Sequence, residues 1–506
     1  MALFYFRETM TNKLTCIICC LLIGLFAKAE KVYEFNSTCQ QAYQEIIKLK
    51  INNGVALIEK AKQQNPDNLI PIFLENYVDL VSLFFNEDAA EYAIKKPKLE
   101  QRIKLLEEGQ QNSPFYKYCL SVAYLQKAFI EIKFTETWRA GWDTRKAFLL
   151  IKENKKTFPT FAPNDIIYGG LQAVIATIPS GYAFIASFVG LSGSIAEGMK
   201  LVKSFANSTD PYAKLMSSES AFIYCYLLYH IENKKADVFT FIKTKKLDLV
   251  NNYLLGYMAA NLAITDKQLD YAKNIILNRN KSPEYVNLPL WDYELGFIKL
   301  YHLETQEAAK YLETYLSSFK GRFYVKDTYL KLSWCYFLQG NMQAAEAAKA
   351  NILKKGALDT DADKQALKEA KSASFPNPIL LKTRMLFDGG YYQEALALFN
   401  GKSANSFALE EEKLEYHYRL GRIYDDMHKD AEAIKYYGIA INLGVTRREY
   451  YAARAALQTG EIYERQQKKE LAISFYEKCL SLKDHEYKNS LDQKAKAGID
   501  RCGGND

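Results

Sequence analysis

Histidine is scarce in this chain, and what is missing around it excludes a class of chemistry. The five histidines, His230, His302, His417, His428 and His485, stand no closer than 11 positions apart, with no His-Glu-x-x-His and no acid at metal spacing. The glycines of Gly190-Leu191-Ser192-Gly193 lack the Gly-Lys-Ser/Thr ending of a phosphate loop. Ser317 and Lys320 satisfy Ser-x-x-Lys, but at a helix end where chance explains the match. Asp425 and Asp426 are adjacent, so on a helix they point in different directions and belong to a solvated face, not to acid-base work. No catalytic residue, metal site or cofactor is expected. Basic blocks are absent too: both signs are interspersed behind a net charge of +7, which gives no nucleic-acid partner. Only 12 prolines against 49% apolar residues leave little room for disorder and suit a folded, largely helical chain.

Residues 1–29 read as a cleaved export signal. Arg7 and Lys13 precede a charge-free run over 14–27, too short to span a membrane, and Ala27-Lys28-Ala29 has the small-x-small form that a signal peptidase reads. Met10 is an alternative start that gives a more ordinary signal. Cys16, Cys19 and Cys20 lie inside the apolar run, too early for lipid attachment and without the small residue that usually precedes it. Cleavage removes three basic residues and one acidic, taking the charge from +7 to +5, and leaves six cysteines at unpaired spacings. Cys39, Cys119, Cys225, Cys335, Cys479 and Cys502 are expected as buried thiols, although export would permit one long-range bridge.

What is present is a repeat. Over 418–483, Leu420, Gly421, Tyr424, Ala433, Tyr437 and Ala440 are answered 39 residues later by Thr459, Gly460, Tyr463, Ala472, Tyr476 and Cys479. Small residues at Gly421 and Gly460 let one helix approach its partner, and Ala433 and Ala472 leave room in the second helix where the two cross. The pattern resembles the tetratricopeptide repeat, with His417 and Ala456 where Trp is commonest and Val445 and Asp484 where Pro would close the unit. That resemblance implies an all-α, right-handed α-solenoid of antiparallel helix pairs, in which single pairs cannot bury their apolar faces and must stack.

Further anchors place the other segments. A tetratricopeptide-like start, closed by Ala61, Pro66 and Asp67, opens a helical array over 30–160, with helices expected at 42–49, 54–63, 72–85, 99–109, 116–134 and 142–154. An apolar helical segment follows over 161–285, and repeats over 286–353 are anchored by Leu295-Gly296 and by Tyr329, Tyr336 and Ala345. Residues 354–374, rich in Ala, Asp and Lys, read as a solvated polar insertion with at most one exposed helix. Repeats resume over 375–488, and 489–506 reads as a capping helix and tail.

Residues 166–196 carry no charge, but Pro179-Ser180-Gly181 divides them into pieces too short to span a bilayer. They are expected as core helices, with a lipid-touching hairpin over 166–191 as the sharper alternative. Gly169-Gly170 permits close helix contact, and Ser194 with Glu197 predicts a capping box for a helix over 195–205. The order of features in 169–202, with 291–316 and 329–340, is similar to the eukaryotic inclusion-body clearance family of tetratricopeptide proteins, over about 140–485. The resemblance implies a shared solenoid, with membrane or lipid-body links in the relatives; it carries no catalytic residue across, and an export signal departs from their cytosolic setting.

In the tetratricopeptide repeat the first helix of each pair lines the concave surface. The resemblance maps groove positions to Glu415, Tyr418, Arg422, Asp425 and Asp426, then Arg454, Leu457, Glu461, Glu464 and Arg465, and earlier to Leu330, Trp334, Phe337 and Leu338. Arginine and carboxylates beside exposed Tyr and Trp suit an extended peptide. The expectation is an exported, non-enzymatic scaffold for a protein or peptide partner, in a periplasm or at an outer membrane if bacterial. A glycan- or nutrient-capture protein with a helical-repeat body, or a lipid-associated repeat protein, are the alternatives.

Overall fold

The structure, a computed structural model, describes residues 30–177 and 191–503. The expected export signal, the Pro179 break, Gly190 and half of the proposed lipid-touching hairpin lie outside the described residues. Among those described there are 25 α-helices and no strand; extended pairing is limited to isolated bridges of Lys31 with Gly109 and Val32 with Asn68. No described helix is long and apolar enough to cross a membrane. The chain divides into two compact units, residues 1–258 with 279–287, and 259–278 with 288–506.

One hydrogen bond recurs through the second unit and sets its repeat length. Where the first helix of each pair ends, the amide of Gln268, Glu304, Asn341, Tyr391, Lys429 and Lys468 donates to the carbonyl five residues back, on Ala263, Lys299, Tyr336, Leu386, Tyr424 and Tyr463, at 2.8–2.9 Å. This is the six-to-one bond that closes a helix through one left-handed residue. That residue is Gly340 and Gly390 in two turns, and Lys267, Leu303, His428 and Gln467 in the others. Counted between acceptors at 263, 299, 336, 386, 424 and 463, the steps are 36, 37, 50, 38 and 39 residues. Five helix pairs follow the rule in full: Leu290–Tyr301 with Thr305–Ser318, Val325–Leu338 with Met342–Lys354, Pro378–Asp388 with Tyr392–Ala397, Glu410–Asp426 with Asp430–Leu443, and Tyr451–Arg465 with Lys469–Ser481.

The 50-residue step holds the segment expected to be a solvated insertion, and here the expectation is corrected. Its helix, Asp361–Ala370, buries Asp363, Ala366 and Ala370. Asp363 accepts from the amides of Tyr324 and Asp327, at 2.8 and 3.1 Å, so its carboxylate caps the start of Val325–Leu338 and pins the inserted helix to the repeat before it. A polar composition hid a buried polar function.

Tyrosines weld the last repeats together. A β-carbon on Gly421 would lie 2.4 Å from the Tyr437 ring, and one on Gly460 would lie 2.6 Å from the Tyr476 ring, so each glycine is the floor for its partner helix's aromatic. The Tyr437 hydroxyl donates to Asp425 at 3.1 Å, and Arg465 of the next repeat donates to the same carboxylate at 3.1 Å. Tyr476 repeats the arrangement with Glu464 at 2.5 Å, which Arg501 of the terminal helix, Lys488–Cys502, reaches at 2.7 Å. All six described cysteines are buried, and desolvation pushes the Cys335 and Cys479 thiols up to about 12.

The first unit uses the same grammar less regularly. Ser37–Ile47 pairs with Ile51–Gln64 through a Lys50 amide to Glu45 carbonyl bond of 2.9 Å, and Pro114–Lys133 pairs with Thr137–Thr157 through Glu136 to Glu131 at 2.8 Å. Helices Pro163–Ile175 and Ile195–Asn207 touch backbone to backbone: a β-carbon on Gly198 would sit 2.5 Å from the Gly169 carbonyl oxygen. Ser194 caps the second of these by accepting from the Glu197 amide at 3.2 Å. The reciprocal half of the expected capping box is supplied from elsewhere, since the Ser194 amide donates to Gln172 Oε1 at 3.0 Å.

Candidate functional site

The turns fix which side chains of the second unit face inward. Counting back from the turn acceptors Tyr336, Leu386, Tyr424 and Tyr463, the residues two positions earlier are Trp334, Arg384, Arg422 and Glu461; six earlier stand Leu330, Leu380, Tyr418 and Leu457; nine earlier stand Asp327, Asn377, Glu415 and Arg454. Offsets of three and four trace a single helix face. Of these twelve, nine line one cleft of about 640 Å³, namely all but Glu461, Leu457 and Asp327. The cleft is therefore the common inner face of consecutive repeats.

Aromatic rings form much of its wall. Tyr418 packs against Tyr451 with centroids 5.0 Å apart and against Tyr450 at 5.9 Å, and Tyr450 meets Tyr487 at 5.3 Å. The Arg384 guanidinium lies 5.1 Å from the Trp334 ring, and Lys331 lies 4.4 Å from it. Arg384 is tied to Glu369 at 3.3 Å; burial lowers its pKa, but Glu369 and Asp388 outweigh that and hold it well above the ordinary value. Burial raises the Glu411 carboxyl, and the neighbouring Glu449 and Glu415 raise it further.

Arg422 differs from the other buried cations. It lies 4.7 Å from the Phe387 ring and donates through Nη1 to the Tyr418 hydroxyl at 3.1 Å, while its buried Nε has no hydrogen-bond partner among the described residues. Arg454 donates to the neutral Gln458 amide at 3.3 Å. Neither guanidinium has a carboxylate within 4.0 Å among the described residues. Burial lowers the pKa of nearby Lys494, Arg454 lowers it further, and Glu461 opposes both.

The residues expected from sequence divide between two roles. Trp334, Glu415, Tyr418, Arg422 and Arg454 line the cleft. Trp334 and Tyr418 are wall rather than exposed contact surface, each only 2% exposed, because their rings pack between repeats. Asp425, Asp426, Glu461 and Arg465 do not line it. Asp425 and Arg465 join each other across repeats, Asp426 accepts from Lys267 at 2.5 Å and from Tyr392 at 3.1 Å, and Glu461 accepts from Gln458. Sequence reading missed Arg384, Tyr450, Tyr451 and the Tyr487 edge. Arg384 occupies the same turn-relative position as Arg422, so registering the degraded repeat from its Gly390 turn would have found it.

A solenoid of stacked helix pairs with a shared inner cleft is the architecture of a tetratricopeptide-repeat protein. No protein-family model matches the chain, and no curated protein does. Among solved structures the chain is similar to the crystal structure of the APC/C hetero-tetramer Cut9-Hcn1, at 12% identity over 93% of this chain and 99% of that one, with a TM-score of 0.27. It is also similar to the P58(IPK) TPR domain, at 13% identity over 92% of this chain and 96% of that one, with a TM-score of 0.21. The likeness to tetratricopeptide repeats rests on the recurring turns and glycine-tyrosine crossings, not on these superpositions.

Proposed function

We propose that the protein is an exported, non-enzymatic scaffold that holds a short extended segment of a protein partner in the cleft of its second unit, in a periplasm or at an outer membrane if bacterial. The observation that carries this reading is the convergence of one helix face from successive repeats on a single cleft with tyrosine walls and two guanidiniums, Arg422 and Arg454, that have no carboxylate of their own. Tyrosine supplies contact area at low entropic cost, and an arginine fork pairs with peptide carbonyls or carboxylates. A cleft of about 640 Å³ is the size that takes a few residues, not a folded domain. Export rests on the 1–29 segment of the sequence.

The test is capture from a fluorescent peptide library by the chain beginning at Glu30, beside Arg454→Ala. The expected outcome is a selected peptide class whose affinity falls roughly tenfold in the variant, the cost of one charge-assisted contact. Binding of oligosaccharides from a glycan array, with no peptide retained, would overturn it.

A further inference from the structure

The two ends of the cleft wall meet across its rim. Between helix Asp361–Ala370 and the loop ahead of helix Lys488–Cys502, Lys368 forms an ion pair with Glu486, and the Tyr487 hydroxyl donates to Gln365 Oε1, a contact spanning 122 residues of chain. All four of these residues also line the cleft. Lys368 further lies 5.6 Å from the Tyr487 ring, and that ring leans on Tyr450, part of the cleft wall. The intervening helices Pro378–Asp388, Glu410–Asp426 and Tyr451–Arg465 supply the wall between these two edges.

The contacts are of a kind that opens easily. Lys368 and Glu486 are 50% and 35% exposed, and Tyr487 is 48% exposed, so water competes for each partner. The loop that presents them holds two non-glycine residues in the left-handed region, Asp484 at φ 59° and Tyr487 at φ 58°. On the other side Asp363 anchors helix Asp361–Ala370 firmly to the repeat before it. One edge is fixed through Asp363; the other is a loop that the Glu486 amide ties to the Arg448 carbonyl at 2.9 Å, while its side-chain partners across the rim stay solvent-exposed.

We propose that Lys368 with Glu486, and Gln365 with Tyr487, form a latch across the rim, and that the segment bound in the cleft enters and leaves by opening it. This rests on the peptide reading above, and it adds that the rate of exchange is set at the rim, by residues away from Arg422 and Arg454. A latch of this kind governs kinetics more than affinity, because opening precedes both entry and escape.

Two measurements decide it. The first needs no ligand: spin labels at Lys364→Cys and Asn489→Cys, both exposed and on opposite edges, report the distance across the rim. In the otherwise unchanged chain the distribution should be narrow, and adding Glu486→Ala with Tyr487→Phe should broaden it to longer distances. An unchanged distribution overturns the latch. The second uses the best peptide from the library: the double variant should speed both association and dissociation roughly fivefold, as loss of two exposed contacts implies. The charge exchange Lys368→Glu with Glu486→Lys should return the rates toward the original. Faster dissociation with unchanged association marks lost contact surface and overturns the latch while leaving the peptide site standing. If no library peptide binds at all, the peptide reading fails, and the label distances still decide whether the rim opens.

Discussion

Glu294 is buried among apolar neighbours on helix Leu290–Tyr301, with one oxygen 3.4 Å from the Asn261 amide and the other without a hydrogen-bond partner among the described residues. Burial pushes its carboxyl up to about 8, against which the Asn261 contact is the smaller, opposing effect. An acid whose folded pKa lies above its unfolded one holds its proton more tightly when folded. Stability is then highest below the unfolded value and declines as pH rises from about 4.5 to about 8. Glu294→Gln should flatten that decline, by up to roughly 1.4 kcal/mol per pH unit at its steepest, in denaturant melts across the range. A parallel pH profile in the variant would show that the carboxyl ionises without cost. The same burial logic separates Arg422 from its neighbours: Arg384 is paired with Glu369 and Arg419 with Glu415, whereas the hydrogen-bond partner of Arg422 among the described residues is the neutral Tyr418 hydroxyl.

The helix turn is the element that repeats most faithfully, more so than any side chain. Gly340 and Gly390 fill its left-handed position without cost, whereas Gln467 occupies it at φ 61° with a β-carbon in the way. Gln467→Gly should therefore raise stability by about 0.5–1 kcal/mol, read as a higher thermal midpoint, after the greater freedom of glycine in the unfolded chain is offset. A lower midpoint would mean that the Gln467 side chain contributes more than its backbone costs. This position also explains what was legible beforehand. Gly421, Gly460, Ala433, Ala472, Tyr437 and Tyr476 announced their crossings because small and large residues must alternate where helices meet. Helix Asp361–Ala370 was misread as solvated because one buried aspartate does by capping what apolar residues do elsewhere by area. Asp425 and Arg465 were expected in the groove, but they pair with each other instead of lining the cleft, since pairing between repeats depends on a superhelical register that a single unit does not reveal.

At the scale of the molecule, repetition makes each pair depend on its neighbours, so the cleft exists only while the stack is intact. Its inner face is assembled from positions that recur at fixed offsets before each turn, and its rim is closed by two elements outside the regular repeat, the inserted helix and the loop before the last helix. Both irregular elements border the same cleft, which ties the departures from the repeat to the site. That assignment also gives the chain's four tryptophans distinct expected behaviour, because Trp334 alone among them lines the cleft. The most direct measurement is a fluorine NMR spectrum of the chain labelled with 5-fluorotryptophan, recorded while the selected library peptide is added. Peptide held in the cleft shifts the Trp334 resonance, assigned by Trp334→Phe, and leaves those of Trp138, Trp142 and Trp291 in place. A Trp334 resonance that stays fixed at saturating peptide, with movement at the other tryptophans or at none, would contradict the account.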